Sequence, residues 1–426
     1  MRLAPTRLYL DTARLGLMNS SAQRANTDFA KLLSEEGLSL YATRWLAEGS
    51  STMPAGFVER FTGLADWPGI GGLKNLVRRL ADVHSSRRVL FASRSTALAR
   101  LAVTELVTRC ERPLTVDLLW PCYQALLAKA CRRRGKPLTI VPVRNRILQN
   151  QADSADTVRH VIDVYHRRNC DGVFLPSVTH DGIRFPAADL LRAIAPTEGG
   201  TVSVVDGAQA LGHVTTDDSA SIADIYLSSA HKWLGAGFPL GMAICRGGIL
   251  RALNREDRRS IAPPCHDSLL SLTQQIAAGQ SRAFGETVHT AALVTGWAAI
   301  SDALNRNRHT ETHQQLMNHQ LLVEVAQSAD WLPVEPRSEF RTGILLLHAT
   351  SHRIRRLSSA ELSESFQRLG LAATCYPGGW ARLSAPRRML RMAEADYLGK
   401  VLDFVAYGRK TPRHSHFESS SSDAIA

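Results

Sequence analysis

The sequence predicts an α/β protein built on a mostly parallel β-sheet with helices on both faces. Three observations support this prediction. Short runs rich in β-branched and aromatic residues alternate with helical stretches from residue 88 to residue 245. After residue 265 the pattern changes to longer helices with fewer strands. No internal repeat is visible along the chain. Alternating strands and helices are typical of parallel sheets whose crossover helices cover both faces.

Seven strands are predicted in the alternating segment, with helices between them. The predicted strands are Val89–Phe91, Leu114–Leu119, Leu138–Val143, Gly172–Leu175, Val202–Val205, Ile225–Leu227 and Met242–Cys245. The predicted helices are Thr96–Arg109, Tyr123–Arg134, 153–168 and Pro186–Ile194. This order predicts a single sheet in which most neighbouring strands run in the same direction.

The chain is predicted to divide into four parts. Residues 1–20 form an N-terminal arm, 21–265 the large domain, 266–408 a small α+β domain, and 409–426 a polar, Ser-rich tail predicted to be disordered. The small domain is predicted to contain helical stretches within 268–327, strands at Gly343–His348 and Trp380–Ser384, and helices at Ser359–Leu369 and 391–407.

The charge balance is strongly basic, but it does not indicate a nucleic-acid partner. The chain of 426 residues has 51 Lys and Arg against 39 Asp and Glu, a net charge of +12. Only seven of the basic residues are lysines. The arginines are scattered, and no nucleic-acid-binding motif accompanies them. We therefore expect no nucleic-acid binding, and a lysine with a chemical role has few candidates.

The cysteine pattern and the hydropathy predict a cytoplasmic protein without a metal site. The seven cysteines form no Cys-x-x-Cys pair, which argues against a zinc site or a disulfide framework and is typical of a reducing compartment. No apolar run approaches the roughly 18–20 residues that span a membrane. The first residues lack the uninterrupted apolar segment of a signal peptide.

Two chemically different residues follow neighbouring predicted strands. Asp206 ends the strand VSVV, and Lys232 follows the strand DIYLSS within the loop AHKWLG. Parallel sheets bind ligands at the carboxyl ends of their strands, so both side chains are expected at one ligand-binding edge. A carboxylate and a lysine suit pyridoxal phosphate, whose ring nitrogen needs an acidic partner and whose aldehyde needs an amine.

These residues belong to a paired motif, Asp206-Gly207-Ala208-Gln209 followed by Ser229-Ala230-His231-Lys232. The pair resembles the D-x-A-Q/H and S-x-H-K motifs of the class V aminotransferase family, which includes cysteine desulfurases, kynureninases and isopenicillin epimerase-like enzymes. The resemblance extends from YLDTA at 9–13 to RLS at 382–384. It implies the fold type I of pyridoxal-phosphate-dependent transferases, with a seven-stranded-type sheet and a small C-terminal domain.

The resemblance implies a role for each motif residue. Lys232 would bind the cofactor as a Schiff base and then move the substrate α-proton. Asp206 would pair with the ring nitrogen, and Gln209 would hydrogen-bond the phenolic oxygen of the ring. Ser229 and His231 would contact the phosphate.

Other segments of the chain resemble further parts of the family site. The run FASRSTAL at 91–98 resembles the family's G-x-T-x-A phosphate segment and implies donors at Ser95, Thr96 and Ala97. Trp120 would stack on the cofactor ring, with Tyr123 as the alternative. The run LPSVTHDG at 175–182 falls where the family has a polar pair, which implies Ser177 as a candidate, with Thr179 or His180 as a substitute.

Two residues beyond the large domain complete the implied site. Thr287, in the run FGET, resembles the threonine that reaches the phosphate of the neighbouring subunit, which implies a homodimer with a shared active site. Arg382, in the run WARLS, would bind the α-carboxylate of an amino-acid substrate.

Transamination is the leading prediction for the reaction. The alternatives are a β-lyase or an epimerase of specialised metabolism, and a non-catalytic module that binds the cofactor. A cysteine desulfurase is disfavoured, because Cys375 lies only seven residues before Arg382 and this connection is too short for the mobile cysteine loop of those enzymes.

Overall fold

A computed structural model describes residues 7–37, 42–194, 202–215, 218–249, 267–279 and 287–407 of the chain. The predicted tail at 409–426 and the predicted domain boundary at 265–266 lie outside the described residues. The division of the chain into domains therefore stays a prediction.

A seven-stranded sheet forms the centre of the large part of the chain. Its strands are β2 (Arg88–Ala92), β3 (Pro113–Val116), β4 (Thr139–Val141), β5 (Gly172–Pro176), β6 (Val202–Asp206), β7 (Ile225–Ser229) and β8 (Gly241–Cys245). Their spatial order is β2-β8-β7-β6-β5-β3-β4. Only β8 runs antiparallel to its neighbours, β2 and β7. The mostly parallel sheet predicted from the sequence is confirmed.

Helices accompany the sheet strands along the chain. They are α1 (Ser20–Glu35), α2 (Ala42–Glu48), α3 (Phe57–Arg60), α4 (Gly69–Leu80), α5 (Ser95–Arg109), α6 (Pro121–Arg133), α7 (Arg144–Leu148), α8 (Ser154–Arg167), α9 (Ala187–Ala193), α10 (Ser219–Ile222), α11 (Ser268–Ala277) and α12 (Ala291–Asn305). Every residue of β3, β5, β6, β7 and β8 is buried. Burial on both faces is what parallel sheets covered by helices require.

A second, smaller sheet has its own hydrophobic core. Its strands are β9 (Trp331–Val334), β10 (Ile344–Ala349), β12 (Thr374–Tyr376) and β13 (Trp380–Ser384), arranged as β12-β13-β10-β9 with all pairs antiparallel. The helices of this part are α13 (Arg308–Ser328), α14 (His352–Arg355), α15 (Ser359–Arg368) and α16 (Met392–Tyr407). Leu347, Phe366 and Leu402 are fully buried in this core.

The N-terminal segment joins the two parts. Strand β1 (Leu8–Tyr9) pairs in parallel with β11 (Leu371–Ala372) of the smaller part. The Ala13 amide then donates to the hydroxyl of Ser384 at 2.9 Å. After this contact the chain runs along the loop that contains Lys232, because the Gly16 amide donates to the carbonyl of His231 at 2.8 Å.

Strands β3 and β4 are shorter than predicted. The Asp117 carboxylate accepts hydrogen bonds from the amides of Val143 and Arg144, at 2.9 and 3.0 Å. These bonds turn the chain out of β4 and into helix α7, which the sequence analysis did not predict. Strand β9 was also not predicted. The four residues of β9 do not alternate between buried and exposed positions, so its sequence lacks the alternating pattern by which a half-buried strand is predicted.

Candidate active site

Asp206 and Lys232 meet at one edge of the large sheet. Asp206 is the last residue of β6, and the loop with Lys232 begins directly after β7. The two strands pair in parallel, with Asp206 opposite Leu227. Burial raises the pKa of the Asp206 carboxyl, and the charge of Lys232 opposes this change in part, so the two side chains interact. The structure therefore brings together the pair on which the sequence prediction depends.

Lys232 carries an amine that ionises less readily than an ordinary lysine. Burial is the main cause and lowers the pKa of Lys232 to about 8. Attraction to Asp206 opposes this change, and repulsion by Arg382 adds to it. A lysine with this pKa is partly neutral near neutral pH, and the neutral amine is the nucleophilic form.

The turn after β6 fixes the Asp206 carboxylate. Its Oδ1 accepts the amide of Ala208 at 3.0 Å. The residue between them is glycine for a steric reason, because a β-carbon on Gly207 would lie 2.0 Å from Cζ of Tyr226. The close approach of the Tyr226 ring thus explains the Asp-Gly step of the motif.

Two buried polar atoms beside Lys232 have no hydrogen-bond partner among the described residues. They are Oγ of Ser229 and Nδ1 of His231. Burial and repulsion by Lys232 lower the pKa of His231 to about 4, so its ring is neutral. Buried polar atoms are normally paired, so these two indicate a bound group with polar oxygens. Together with the carboxylate and the amine, they fit pyridoxal phosphate.

The N-terminus of α5 supplies further donors at the same edge. Its N-cap residue, Arg94, makes no side-chain cap bond, so first-turn amides are available to an anion. The Ser95 hydroxyl accepts from the Tyr123 hydroxyl at 3.2 Å. The Ala97 amide already donates to the Arg94 carbonyl at 3.1 Å. Within the described part of the chain, the amides of Ser95 and Thr96 remain for a phosphate, whereas Ala97 has an acceptor within the turn.

Trp120 and Tyr123, the two candidates for stacking on a ring, differ in burial. The Trp120 side chain is 38% exposed, and its ring meets Tyr123 edge-to-face at 4.9 Å between centroids. Tyr123 is buried and stacks on Phe174 at 5.9 Å. The face of Tyr123 is therefore used by the core, and the accessible indole of Trp120 favours the first of the two alternatives.

Gln209 lies in a buried polar network behind Lys232. Its Oε1 accepts from Nε1 of Trp233, and its Nε2 donates to the carbonyl of Ala13, both at 2.8 Å. The His213 ring stacks on Trp233 at 3.6 Å, and its Nε2 accepts the Gly343 amide at 3.0 Å. One amide hydrogen of Gln209 remains for a ligand. The network links the N-terminal segment and β10 to the Lys232 loop.

Arg382 is buried in the centre of β13 and extends toward the same site. Its Nη1 donates to the carbonyl of His180 at 2.9 Å, and its Nη2 donates to Oγ1 of Thr374 at 3.0 Å. The Asp11 carboxylate lies 3.5 Å from Nη2. Nε is buried without a partner among the described residues. Arg382 therefore keeps a donor for a substrate carboxylate, but it already has an acidic neighbour.

His180, one of the three candidates in the run LPSVTHDG, lies at the site. Its Nδ1 is buried without a partner in the described part of the chain, and its ring meets Tyr376 at 6.3 Å. Burial lowers the pKa of His180, and the nearby charges of Arg382 and Lys232 lower it further. Thr179 instead donates to Asp181 within the turn. Among these polar residues, His180 therefore carries the ring that faces the site.

Thr287 and Cys375 are the two remaining residues for which the sequence raised a role. Thr287 is exposed and follows the undescribed residues 280–286, so its predicted contact with a partner subunit stays a prediction. Cys375 is in β12, opposite Ala381. Burial and the nearby Asp11 raise the pKa of Cys375 to about 12, so its thiol is protonated at neutral pH. This is not the environment of a reactive cysteine.

Comparison with known proteins supports the predicted family. Residues 69–255 match the family model described as aminotransferase class-V. The class V resemblance is confirmed. The cofactor prediction agrees with it, because class V is a family that depends on pyridoxal phosphate. No curated protein sequence matches the chain.

Solved structures confirm the fold. The cystine C-S lyase C-DES, in complex with cysteine persulfide, is 15% identical, with a TM-score of 0.68 over 93% of this chain and 97% of that chain. Ureidoglycine-glyoxylate aminotransferase from Bacillus subtilis is 11% identical, with a TM-score of 0.67 over 98% and 97%. A C-DES mutant with glycine linked to its pyridoxal phosphate is 14% identical, with a TM-score of 0.66 over 93% and 96%.

These neighbours include a lyase and an aminotransferase, so the fold is common to both reactions.

Within the described ranges, no group of three or more His, Cys, Asp or Glu side chains is placed to hold a metal ion. In the same ranges, no helix is both long and apolar enough to cross a bilayer.

Proposed function

We propose that this protein is a pyridoxal-phosphate-dependent enzyme that acts on an amino acid, with transamination as its reaction. The observation that carries the proposal is the arrangement around Lys232. Its amine has a lowered pKa, lies near the buried Asp206, and is flanked by two buried polar atoms without partners. A structural lysine has no need of such surroundings.

The residues of this site would each hold one part of the cofactor. Ser95, Thr96, Ser229 and His231 would bind the phosphate, and Asp206 would face the ring nitrogen. Trp120 would cover the ring, and the remaining amide hydrogen of Gln209 would reach its phenolic oxygen. When bound, the cofactor supplies an aldehyde and an electron-withdrawing ring that acidifies the α-proton of an amino acid.

The chain's own groups would bind the substrate and move its proton. The Arg382 guanidinium would orient the amino acid through its carboxylate. The neutral amine of Lys232 would accept the α-proton, since the lowered pKa of Lys232 matches a base that works near neutral pH. The buried loop around Lys232 would exclude water from this transfer.

The position of Cys375 argues against sulfur transfer through that residue. A sulfur acceptor must be a thiolate, and the pKa of Cys375 is about 12. A β-lyase or an epimerase remains the second candidate, and His180 is the observation that favours it. Its neutral ring, with an unpartnered Nδ1, would provide a second group for proton transfer at the site.

The oligomeric part of the proposal rests on Thr287. This residue is exposed and lies four positions before the first residue of α12, Ala291. We propose that it contacts the phosphate bound by a second copy of the chain, so that the enzyme works as a homodimer with shared sites.

An amino-acid panel mixed with the purified, cofactor-loaded protein tests the reaction. Transamination should convert the visible absorption band of the cofactor to the near-ultraviolet band of its amine form, which a keto acid then reverses. Release of ammonia, sulfide or pyruvate without this conversion would identify a lyase. Inversion of the substrate's α-carbon without any other change would identify an epimerase. A protein that binds the cofactor and changes no amino acid would support a non-catalytic role, and one that binds no cofactor would refute the proposal.

A further inference from the structure

The N-terminal segment brings a carboxylate to the arginine that is proposed to bind the substrate. Asp11 follows β1 and is 9% exposed. Its Oδ1 lies 3.5 Å from Nη2 of Arg382 and accepts a hydrogen bond from Thr374. The same Thr374 hydroxyl accepts from Nη2 of Arg382 at 3.0 Å. Asp11, Thr374 and Arg382 thus form one hydrogen-bonded cluster, in which Asp11 and Arg382 are buried.

This cluster has a consequence for a substrate that carries a carboxylate. Such a substrate would place a second negative charge against the guanidinium that Asp11 already faces. Two carboxylates at one buried arginine repel each other, and the usual result is that one of them takes up a proton. The substrate carboxylate would be the stronger acid because it gains the arginine's free donor, so Asp11 is the group that must change.

We propose that Asp11 is a positioning residue that holds Arg382 through Thr374 and takes up one proton when a carboxylate-bearing substrate binds Arg382. The inference rests on the proposed function and adds a specificity device to it. Substrates with a carboxylate bind more weakly as the pH rises, whereas amines without a carboxylate do not. The N-terminal segment thereby becomes part of substrate selection.

Several other titratable or charged groups surround Asp11. They are Tyr9 and Arg14 of the same segment, Cys375 and Tyr376 of β12, Arg382 of β13, and His180 beyond the arginine. Burial raises the pKa values of Tyr9, Cys375 and Tyr376 and lowers that of His180. Burial also raises the pKa of Asp11 itself, and the Thr374 hydrogen bond and the charge of Arg382 oppose this change.

A matched pair of probes tests the proposal without knowledge of the natural substrate. Aminooxyacetate and O-methylhydroxylamine both bleach the visible band of pyridoxal phosphate enzymes, and only the first has a carboxylate. The bleaching rate with aminooxyacetate, divided by the rate with O-methylhydroxylamine, measures the preference for a carboxylate. It is followed with cofactor-loaded protein from about pH 5.5 to about pH 7.5. Titration calorimetry in two buffers counts the protons taken up with each probe.

In the wild type, the rate ratio should fall by about tenfold over this range, because a second charge at close range shifts the pKa of a carboxyl group by about one unit or more. Up to about one more proton should be taken up with aminooxyacetate than with O-methylhydroxylamine. In Asp11→Asn the ratio should not change with pH, and at the upper pH it should exceed the ratio of the wild type. Asp189→Asn, which removes a carboxylate from a surface pair with Arg192, should behave as the wild type.

Thr374→Val gives an independent test that keeps the charge of Asp11. The Thr374 hydrogen bond lowers the pKa of Asp11, so its loss should move the fall in the ratio to higher pH. An Asp11→Asn profile that falls like the wild type, or a flat wild-type profile with a strong carboxylate preference, would overturn the proposal. A wild type that shows no preference at any pH would instead refute the role of Arg382 in the proposed function.

Discussion

Gly16 of the N-terminal segment lies directly against the main chain of Lys232. A β-carbon on Gly16 would stand 1.9 Å from the carbonyl oxygen of Lys232, and the Gly16 amide donates to the carbonyl of His231 at 2.8 Å. The segment that contributes Asp11 to the arginine cluster therefore also supports the loop of the proposed catalytic lysine. A displacement of this segment would affect both ends of the site.

We expect Gly16→Ala to destabilise the protein by about 1–3 kcal/mol, because the added methyl group overpacks a contact with backbone that has no room to yield. Chemical denaturation of the cofactor-free protein measures this change. Gly71→Ala is the matched control. Nothing lies within 4 Å of a β-carbon at Gly71 in helix α4, so alanine there should stabilise the protein by about 0.5–1 kcal/mol. Equal effects of the two changes would contradict the steric argument.

Replacement of Lys232 by alanine should abolish the visible band of the bound cofactor, since no other amine is near Asp206 in the described part of the chain. Lys74→Ala is a sharp control, because burial and two nearby arginines also lower the pKa of Lys74 to about 8. Lys74 lies on α4, away from the strand ends that form the site. Absorption spectra after cofactor addition should therefore be normal for Lys74→Ala. A visible band retained by Lys232→Ala would refute the assignment.

Trp120→Ala should weaken cofactor binding by about 2- to 10-fold, which corresponds to the roughly 0.5–1.5 kcal/mol of an aromatic contact. Trp120→Phe should restore most of the affinity, because it keeps a ring at this position. Equilibrium titration of the cofactor-free protein measures both values. If Trp120→Ala binds the cofactor as tightly as the wild type, the indole does not contact the ring, and Tyr123 becomes the candidate despite its burial.

The part of the site that the sequence predicts is the part that local rules determine. Asp206 and Ser229 end strands and Lys232 follows one, and parallel strands bring their carboxyl ends to one edge of the sheet. The Asp11 cluster is different. Asp11 and Thr374 are 363 positions apart, and they meet only because β1 pairs with β11 of the smaller part. The role of His180 was equally hidden, because a turn residue gives no periodic signal of where its ring points.

The rate of cofactor loading should depend on pH through Lys232. Below its pKa of about 8, the protonated fraction of the amine grows, and the rate should fall by about tenfold for each unit. Above that value the amine is neutral, and the rate should level off. Stopped-flow absorption of the cofactor-free protein at a series of pH values gives the midpoint.

Two variants should move this midpoint in opposite directions. Asp206 raises the pKa of Lys232, so Asp206→Asn should shift the midpoint to lower pH. Arg382 lowers that pKa, so Arg382→Gln should shift it to higher pH. The position of the midpoint, and not the absolute rate, is the decisive quantity, because both variants also remove a contact of the site. A wild-type midpoint near 10.5, the value of an ordinary lysine, would show that burial does not activate Lys232.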